Sequence, residues 1–327
     1  MKPRLFVTQP IPDKALSLLR QHGDVNLNHD SARIMTSAEL AAAVARCDYL
    51  FCLLHDTVDR HVMAANPDLR MIASMAIIPA GIDVAEATAR RIPVTTIPPM
   101  VTEETADLAW GLMMTVARNI VAGDRTLRQG VFPGSQSMHL AGQGVYGKAL
   151  GIVGLGRVGE AMARRARGFD MRVLYSKRNR LDTGRETDLG VQYVSLKQLL
   201  RRADFVSINA ASTPETRHLI GAAELRTMKP TACLINTARG PLVEEAALAA
   251  ALREKVIAGA ALDVYEHEPE VHPDLKECDN VVLTPHLGSA VSETRERMAL
   301  VLAENIIAVM EGRRPPNLYN PEVYRPI

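Results

Sequence analysis

Gly154-Leu155-Gly156-Arg157-Val158-Gly159 follows the apolar pair Ile152-Val153 and runs straight into Glu160–Arg167, a stretch patterned as a helix. Six residues of this kind, between a strand and a helix, form a phosphate-binding turn. The first glycine permits the tight bend, the second lets backbone approach a pyrophosphate, and the third lets the helix pack closely on the strand. The helix N-terminus then faces the phosphates with unpaired N–H groups. A bare G-x-G-x-x-G recurs by chance in flexible loops; the strand before it and the helix after it are what make this one a dinucleotide site.

The next apolar run sharpens the reading. In a site for NAD an Asp or Glu ends the second strand and accepts the ribose 2′-hydroxyl. Here Val173-Leu174-Tyr175 leads into Ser176-Lys177-Arg178-Asn179, and no carboxylate comes before Asp182. A hydroxyl and two cations suit a 2′-phosphate, so NADP is the expected cofactor, with NAD still possible. A solvated basic turn is the alternative, since Arg172 and Arg180 are close in sequence.

Working outward, the same alternation fills the chain. Apolar runs at Leu150–Val153, Met171–Tyr175, Phe205–Asn209, Ala232–Ile235, Ala258–Leu262 and Val281–Leu283 are separated by helical patterns. Runs so uniformly apolar are strands buried on both faces, which means an open, doubly wound parallel sheet of Rossmann type. The first hundred residues carry a second set: Leu5–Thr8, Asp24–Asn28, Tyr49–Leu53, Met71–Met75 and Pro93–Thr95, with helices expected at Pro12–Gln21, Ser37–Arg46 and Val84–Arg90. Ser37 is the expected cap of the second of these. After Pro98-Pro99, Thr102-Glu103-Glu104 is expected to cap a helix over Ala106–Ile120, so apolar all round that it must be buried between domains or subunits. Gly130–Gly147 is expected to be a long loop, and Ser292–Met310 a helix ended by Gly312 that returns to the first lobe. The fold expected is therefore α/β and two-lobed. Residues 1–100 with 291–327 form a smaller substrate-binding lobe, and 101–290 form the dinucleotide-binding lobe.

Bulk composition agrees with this. The 327 residues suffice for two domains, and a net charge of +1 gives no reason to expect a nucleic-acid or membrane partner. No segment approaches the roughly 20 apolar residues of a membrane span, and the N-terminus lacks a secretory h-region. Cys47, Cys52, Cys233 and Cys278 lack metal-type spacing, so no metal is expected and a reduced, cytoplasmic protein is.

Ligands of open α/β sheets sit beyond the carboxyl ends of the strands, so the residues following each run are the candidates for chemistry. They include Asn236-Thr237-Ala238-Arg239-Gly240, Asp263 with Glu266-His267-Glu268-Pro269, and Thr284-Pro285-His286-Leu287-Gly288. An Arg fork can hold a carboxylate and polarise the carbonyl beside it. A protonated His can deliver a proton to a developing alkoxide, and a carboxylate nearby favours the imidazolium. These roles fall to Arg239, His286 and Glu268. Each alone has a bland alternative (an ion-pair partner, a loop histidine, a solvated acid); together at strand ends beside the glycine turn they describe reduction of a 2-keto acid. His267, flanked by Glu266 and Glu268, is expected to face solvent. His55, which ends a strand of the first lobe beside Asp56, is also close to where substrate would pass.

The segments Val101–Ala109, Gly147–Gly159, Thr213–Ile220, Ile235–Pro241, Ala261–Pro269 and Thr284–Ala290 resemble the D-isomer-specific 2-hydroxyacid dehydrogenase family, and within it the glyoxylate/hydroxypyruvate reductases. The resemblance implies an Arg–Glu–His set at Arg239, Glu268 and His286. It implies cofactor contacts at the Gly154–Gly159 turn, including Leu155, Arg157 and Val158, and at Ser176, Lys177, Arg178, Ala210, Thr213, Thr237, Ala238, Asp263 and Gly288. It further implies a flavodoxin-like first lobe and a homodimer built on the Thr102–Ile120 helix and the loop after it. Substrate is expected at Arg239, His286, Leu54, Ile77 and Ile78. Here Ile77-Ile78-Pro79 stands where the family carries a glycine-containing pair whose amides hold the substrate carboxylate, and Pro79 has no N–H to offer. The commoner His-x-Pro-Leu is also absent at Asn209–Ser212. The expected function is thus reduction of glyoxylate, hydroxypyruvate or a similar small 2-keto acid. A reductase of larger sugar-derived keto acids such as 2-ketogluconate is the alternative within the class. A dinucleotide-sensing, corepressor-like binding protein is the alternative outside it.

Overall fold

Short β-branched and aliphatic runs that cannot hide one polar face must be covered on both, and in the computed structural model they lie inside two parallel sheets. The structure describes residues 2–135 and 138–324. The chain falls into two compact units, 1–100 with 290–327, and 101–289.

The first unit contains β1 (Arg4–Val7), β2 (Asp24–Leu27), β3 (Tyr49–Cys52), β4 (Met71–Ser74) and β5 (Val94–Thr95), in the order β2-β1-β3-β4-β5. That is the flavodoxin-like order. The Ser292–Met310 helix belongs to this unit and packs on the Asp13–His22 helix and β4, with Lys14 paired to Glu296 at 2.6 Å. The tail after it is tied to β5: Val94 N–H donates to Asn320 Oδ1 at 2.8 Å, and Thr95 pairs with Leu318.

The second unit contains β6 (Ala149–Val153), β7 (Arg172–Ser176), β8 (Val191–Tyr193), β9 (Phe205–Ile208), β10 (Cys233–Asn236), β11 (Gly259–Leu262) and β12 (Val281–Leu283). Their order is β12-β11-β10-β9-β6-β7-β8. Strand order reverses at β6, which lies between β9 and β7, so the switch point falls between β6 and β9. β6 is buried along its whole length, and Gly151 lets the Leu199 and Ala203 side chains lie against it.

Several local expectations are corrected. Thr36, not Ser37, caps the second helix: its hydroxyl accepts from Glu39 N–H while the Glu39 carboxylate accepts from Thr36 N–H. Thr102 lies within the Thr102–Ala117 helix and caps nothing; Val101 is the N-cap, without a side-chain bond. That helix stops at Ala117, and Asn119, in left-handed backbone at φ 51°, turns the chain into a further helix, Ile120–Arg128. The buried side of the Thr102–Ala117 helix packs within its own unit, on the Arg157–Ala166 helix and on β10 to β12. The strand β8 is an addition: only Val191 of its three residues is buried, too little apolar pattern to be read from sequence.

Candidate active site

The glycine turn is built as its spacing requires. Gly154 has φ 87°, and a Cβ there would lie 2.5 Å from the Ala210 backbone, so both conformation and proximity exclude a side chain. Gly159 faces Gly154 O and Ile152, where a Cβ would come to 2.6 Å, and this seats the Arg157–Ala166 helix on β6. Around Gly156 a Cβ would meet nothing within 4 Å, so the backbone faces open space at the start of the helix. Two buried polar atoms on the same sheet edge, Thr237 Oγ1 and Asn209 Oδ1, have no hydrogen-bond partner among the described residues. An open glycine cradle at a helix N-terminus, flanked by unsatisfied polar atoms, fits a bound dinucleotide. Ala210 and Ala238 lie part-buried beside these atoms, Thr213 is exposed, and the Leu155 side chain is buried so that only its backbone faces the turn.

Beyond β7 the basic turn is partly engaged. Lys177 Nζ donates to Leu155 O at 3.1 Å, which ties this turn to the glycine turn. Arg180 is held by Glu186 through two bonds of 2.8 Å, and Glu186 also accepts from the Tyr175 hydroxyl at 2.6 Å. Arg180 and then Tyr175 hold the Glu186 carboxyl down at about 2. Asp182, the first carboxylate after the strand, caps the Thr183–Leu189 helix through Arg185 N–H. Arg178 is exposed and makes no ion pair among the described residues, and Ser176 is half-buried at the strand end.

The other side of the switch point holds the titratable groups. Asn236, ending β10, shapes the turn after it: its Oδ1 accepts from Ala238 N–H at 3.0 Å and its Nδ2 donates to Arg239 O at 2.9 Å. Arg239 is exposed, with Nη1 on Ala238 O at 2.6 Å. Glu268 Oε1 accepts from Tyr265 N–H at 3.0 Å, and its Oε2 lies 2.9 Å from His286 Nδ1. Both side chains are about four-fifths buried. His286 itself is in left-handed backbone at φ 55°, which a loop must over-determine.

Asp263 does so. One per cent exposed, its Oδ1 accepts from the Thr284 hydroxyl at 2.6 Å and from Leu287 N–H at 2.7 Å, and its Oδ2 accepts from Gly288 N–H at 2.9 Å. Burial pushes its carboxyl up, while these donors pull it down. Asp263 therefore clasps the loop that presents His286, a role that sequence reading missed because it depends on which amides the loop turns inward. Gly288 N–H is one of them, and its carbonyl accepts from the Thr105 hydroxyl at 3.2 Å. His267 is exposed.

Leu54, Ile77 and Ile78 belong to the first unit, where they leave the adjacent strands β3 and β4. The two loops touch: a Cβ on Gly81 would be 2.3 Å from Asp56 O and 3.4 Å from Leu54 O. Asp56, buried, anchors the first loop by accepting from Leu53 N–H at 2.7 Å and from the Thr8 hydroxyl. Ile78 is 54% exposed, Leu54 and Ile77 half-buried.

Known proteins resemble this chain over nearly its whole length. Residues 110–288 match the family described as D-isomer specific 2-hydroxyacid dehydrogenase, NAD binding domain. A protein of Korarchaeum cryptofilum named glyoxylate reductase is 48% identical, over 99% of this chain and 98% of its own length. A solved structure from Thermus thermophilus superposes with TM-score 0.87 at 40% identity, covering 97% of this chain and 99% of that one. The NADPH-dependent glyoxylate/hydroxypyruvate reductase of Sinorhizobium meliloti, solved with NADP and malonate, has TM-score 0.78 at 30% identity and covers 99% of both chains. The chain belongs to the D-isomer-specific 2-hydroxyacid dehydrogenase family.

Proposed function

We propose that this protein reduces a small 2-keto acid of the glyoxylate or hydroxypyruvate type to the D-2-hydroxy acid, with NADPH preferred over NADH. The observation that carries the reading is the Glu268–His286 contact of 2.9 Å, on the same sheet edge as Arg239 and the open glycine turn. The names of the relatives support it.

A bound nicotinamide supplies the hydride; the protein's residues do the rest. The Gly154–Gly159 turn, with Arg157 and Val158 opening the helix, holds the pyrophosphate on backbone N–H groups. Ser176 and Arg178, in a turn without a competing carboxylate, receive the 2′-phosphate, and Lys177 braces that turn. Thr237 Oγ1, buried and unsatisfied, gains a partner when the dinucleotide binds. Arg239 presents its planar fork to the substrate carboxylate and draws electron density from the adjacent carbonyl. Nδ1 of His286 faces Glu268, so Nε2 is the nitrogen that gives its proton to the forming alkoxide. Glu268 holds the ring in that orientation through its contact with Nδ1. Ile77, Ile78 and Leu54, at the ends of β4 and β3, are the residues proposed to set substrate size, in the smaller lobe proposed to bind substrate.

A homodimer is part of the proposal. The segment from the Ile120–Arg128 helix to Tyr146 exposes Ile120, Leu127, Val131, Phe132, Met138 and Tyr146, each half or more exposed, within one stretch of sequence. Such a concentration of large apolar side chains suits a second copy of the chain. No helix among the described residues is long and apolar enough to cross a membrane.

The test is purified protein assayed with glyoxylate, hydroxypyruvate and 2-ketogluconate, each with NADPH and with NADH. Higher kcat/KM for glyoxylate or hydroxypyruvate with NADPH is expected. Preference for 2-ketogluconate would move the substrate assignment, and cofactor binding without turnover on any keto acid would leave a dinucleotide-sensing protein.

A further inference from the structure

His218 has had no role so far, yet it touches two of the turns that carry the proposed chemistry. Its backbone N–H donates to Pro241 O at 2.7 Å, two residues beyond Arg239. Its Nε2 lies 2.7 Å from Glu266 Oε2, two residues before Glu268. To reach both, His218 adopts left-handed backbone at φ 52°, rare for a residue with a Cβ. The chain around it is held in place by a parallel bridge between Ile220 and Val243.

Glu266 is locked from the other side by Glu245. Glu245 N–H donates to Glu266 Oε1 at 2.9 Å, and Glu266 N–H donates to Glu245 Oε1 at 2.7 Å, so each carboxylate caps the other's backbone. The remaining Glu245 oxygen accepts from His272 N–H at 3.2 Å. Both carboxylates are buried, Glu245 at 5% exposure and the Glu266 side chain at 9%. Burial alone would raise the Glu266 pKa, but Glu245 N–H, the His218 ring and Arg217 together outweigh it and hold the carboxyl below its ordinary value. An ionised carboxylate only accepts, so His218 Nε2 carries the proton of their bond. The two turns also meet directly: a Cβ on Gly240 would lie 1.8 Å from the Tyr265 carbonyl carbon. Tyr265 N–H is the donor that holds Glu268 Oε1.

We propose that His218, acting through Glu266 and its reciprocal clamp with Glu245, is a positioning residue that locks the Arg239 turn against the Glu268 turn and so sets the register in which Glu268 meets His286. The proposal rests on the assignment of Arg239, Glu268 and His286 made above. Well-packed apolar residues would hold these turns together with less desolvation than two buried carboxylates require; what the directional bonds add is a single geometry.

The test is steady-state reduction of glyoxylate by NADPH in His218→Ala, His218→Gln, Glu268→Gln and the His218→Ala/Glu268→Gln double variant. His218→Ala is expected to lower kcat roughly tenfold or more through misplacement of the Glu268 pair. NADPH binding, read by fluorescence titration, is expected to persist, with KM for glyoxylate changing less than kcat. The side-chain amide of His218→Gln can still donate to Glu266 and should recover most of the loss. In the Glu268→Gln background, His218→Ala should cost no more than about threefold, because the residue it acts through is already gone. Full kcat in His218→Ala, or a loss carried undiminished into the Glu268→Gln background, overturns the proposal. If Glu268→Gln itself keeps full kcat, the active-site assignment falls and takes this proposal with it; if Glu268→Gln is crippled and His218→Ala is not, the proposal alone falls. Should His218→Ala fail to fold, Glu266→Gln, which keeps side-chain volume, is carried through the same cycle.

Discussion

At the scale of single residues, the proposed chemistry depends on a few side chains whose surroundings leave little choice of role. His286 is presented by a loop that Asp263 clasps at three points and is oriented by Glu268 at Nδ1. Replacing it with alanine should lower kcat by about two orders of magnitude or more while NADPH still binds, as loss of a general acid would. Full turnover in single-turnover kinetics would remove His286 from the mechanism. Arg239→Lys should raise KM and lower kcat for keto acids, since a point charge does not reproduce a planar fork; unchanged constants would count against the carboxylate role. Ser176→Asp places a carboxylate where a 2′-hydroxyl would need one, and the ratio of kcat/KM for NADPH to that for NADH should fall roughly tenfold or more. An unmoved ratio would mean the 2′ position is read elsewhere. The common sheet edge of Arg239, Glu268 and His286 was legible in the sequence because each follows a strand of a parallel sheet, whose carboxyl ends all lie on one edge. Asp263 as a clasp, Asp56 as a loop anchor and His218 as a link were not. Each acts on a backbone group whose position is set by loop path rather than by local pattern.

At the scale of elements, long apolar runs and the glycine turn are where the sequence speaks most clearly. The Ser292–Met310 helix and β12 were legible to the residue, whereas the cap of the Ser37–Val44 helix was displaced by one position because the adjacent Thr36 and Ser37 compete for it. Helix ends depend on such contests, and the winner is the side chain that reaches the N3 amide. The turn after β7 shows another limit. Arg180 reads as one more basic residue near the cofactor, but it is drawn away by Glu186, six residues on, whose carboxylate also accepts from the Tyr175 hydroxyl. This cluster should leave a mark on acid stability. The Glu186 carboxyl sits at about 2 in the folded protein, against about 4.3 for a free glutamate. Its folded pKa is depressed, so its contribution is present above the unfolded value and is lost as pH falls through the folded one. Glu186→Gln should therefore lower the thermal midpoint at pH 7. That deficit should shrink between about pH 5 and about pH 2, where wild type loses the same interaction. A deficit independent of pH across that range would show that Glu186 stabilises by packing alone.

At the scale of the whole molecule, composition and alternation were enough to expect two α/β units, and the observed sheet orders are those of a flavodoxin-like and a Rossmann-type fold. The exposed apolar side chains between Ile120 and Tyr146 bear on assembly. Phe132→Glu, at a position 80% exposed, should cost the fold of the single chain little. It should shift sedimentation toward the monomer if this surface meets a second copy. A dimer that survives the substitution would place the contact elsewhere. Local sequence was enough to specify the glycine turn, most of the strands and helices along the chain, and the residue types at each strand end. Those follow from local rules: period, burial on two faces, and the φ that only glycine tolerates at Gly154. Tertiary structure alone decided which strand neighbours which, and with it the side of the switch point on which each candidate falls. It alone brought Asp263 to the His286 loop and Glu245 to Glu266. Those contacts join residues 21 or more positions apart, and hydrogen bonds across such separations are chosen by how loops pack, which no short window of sequence encodes.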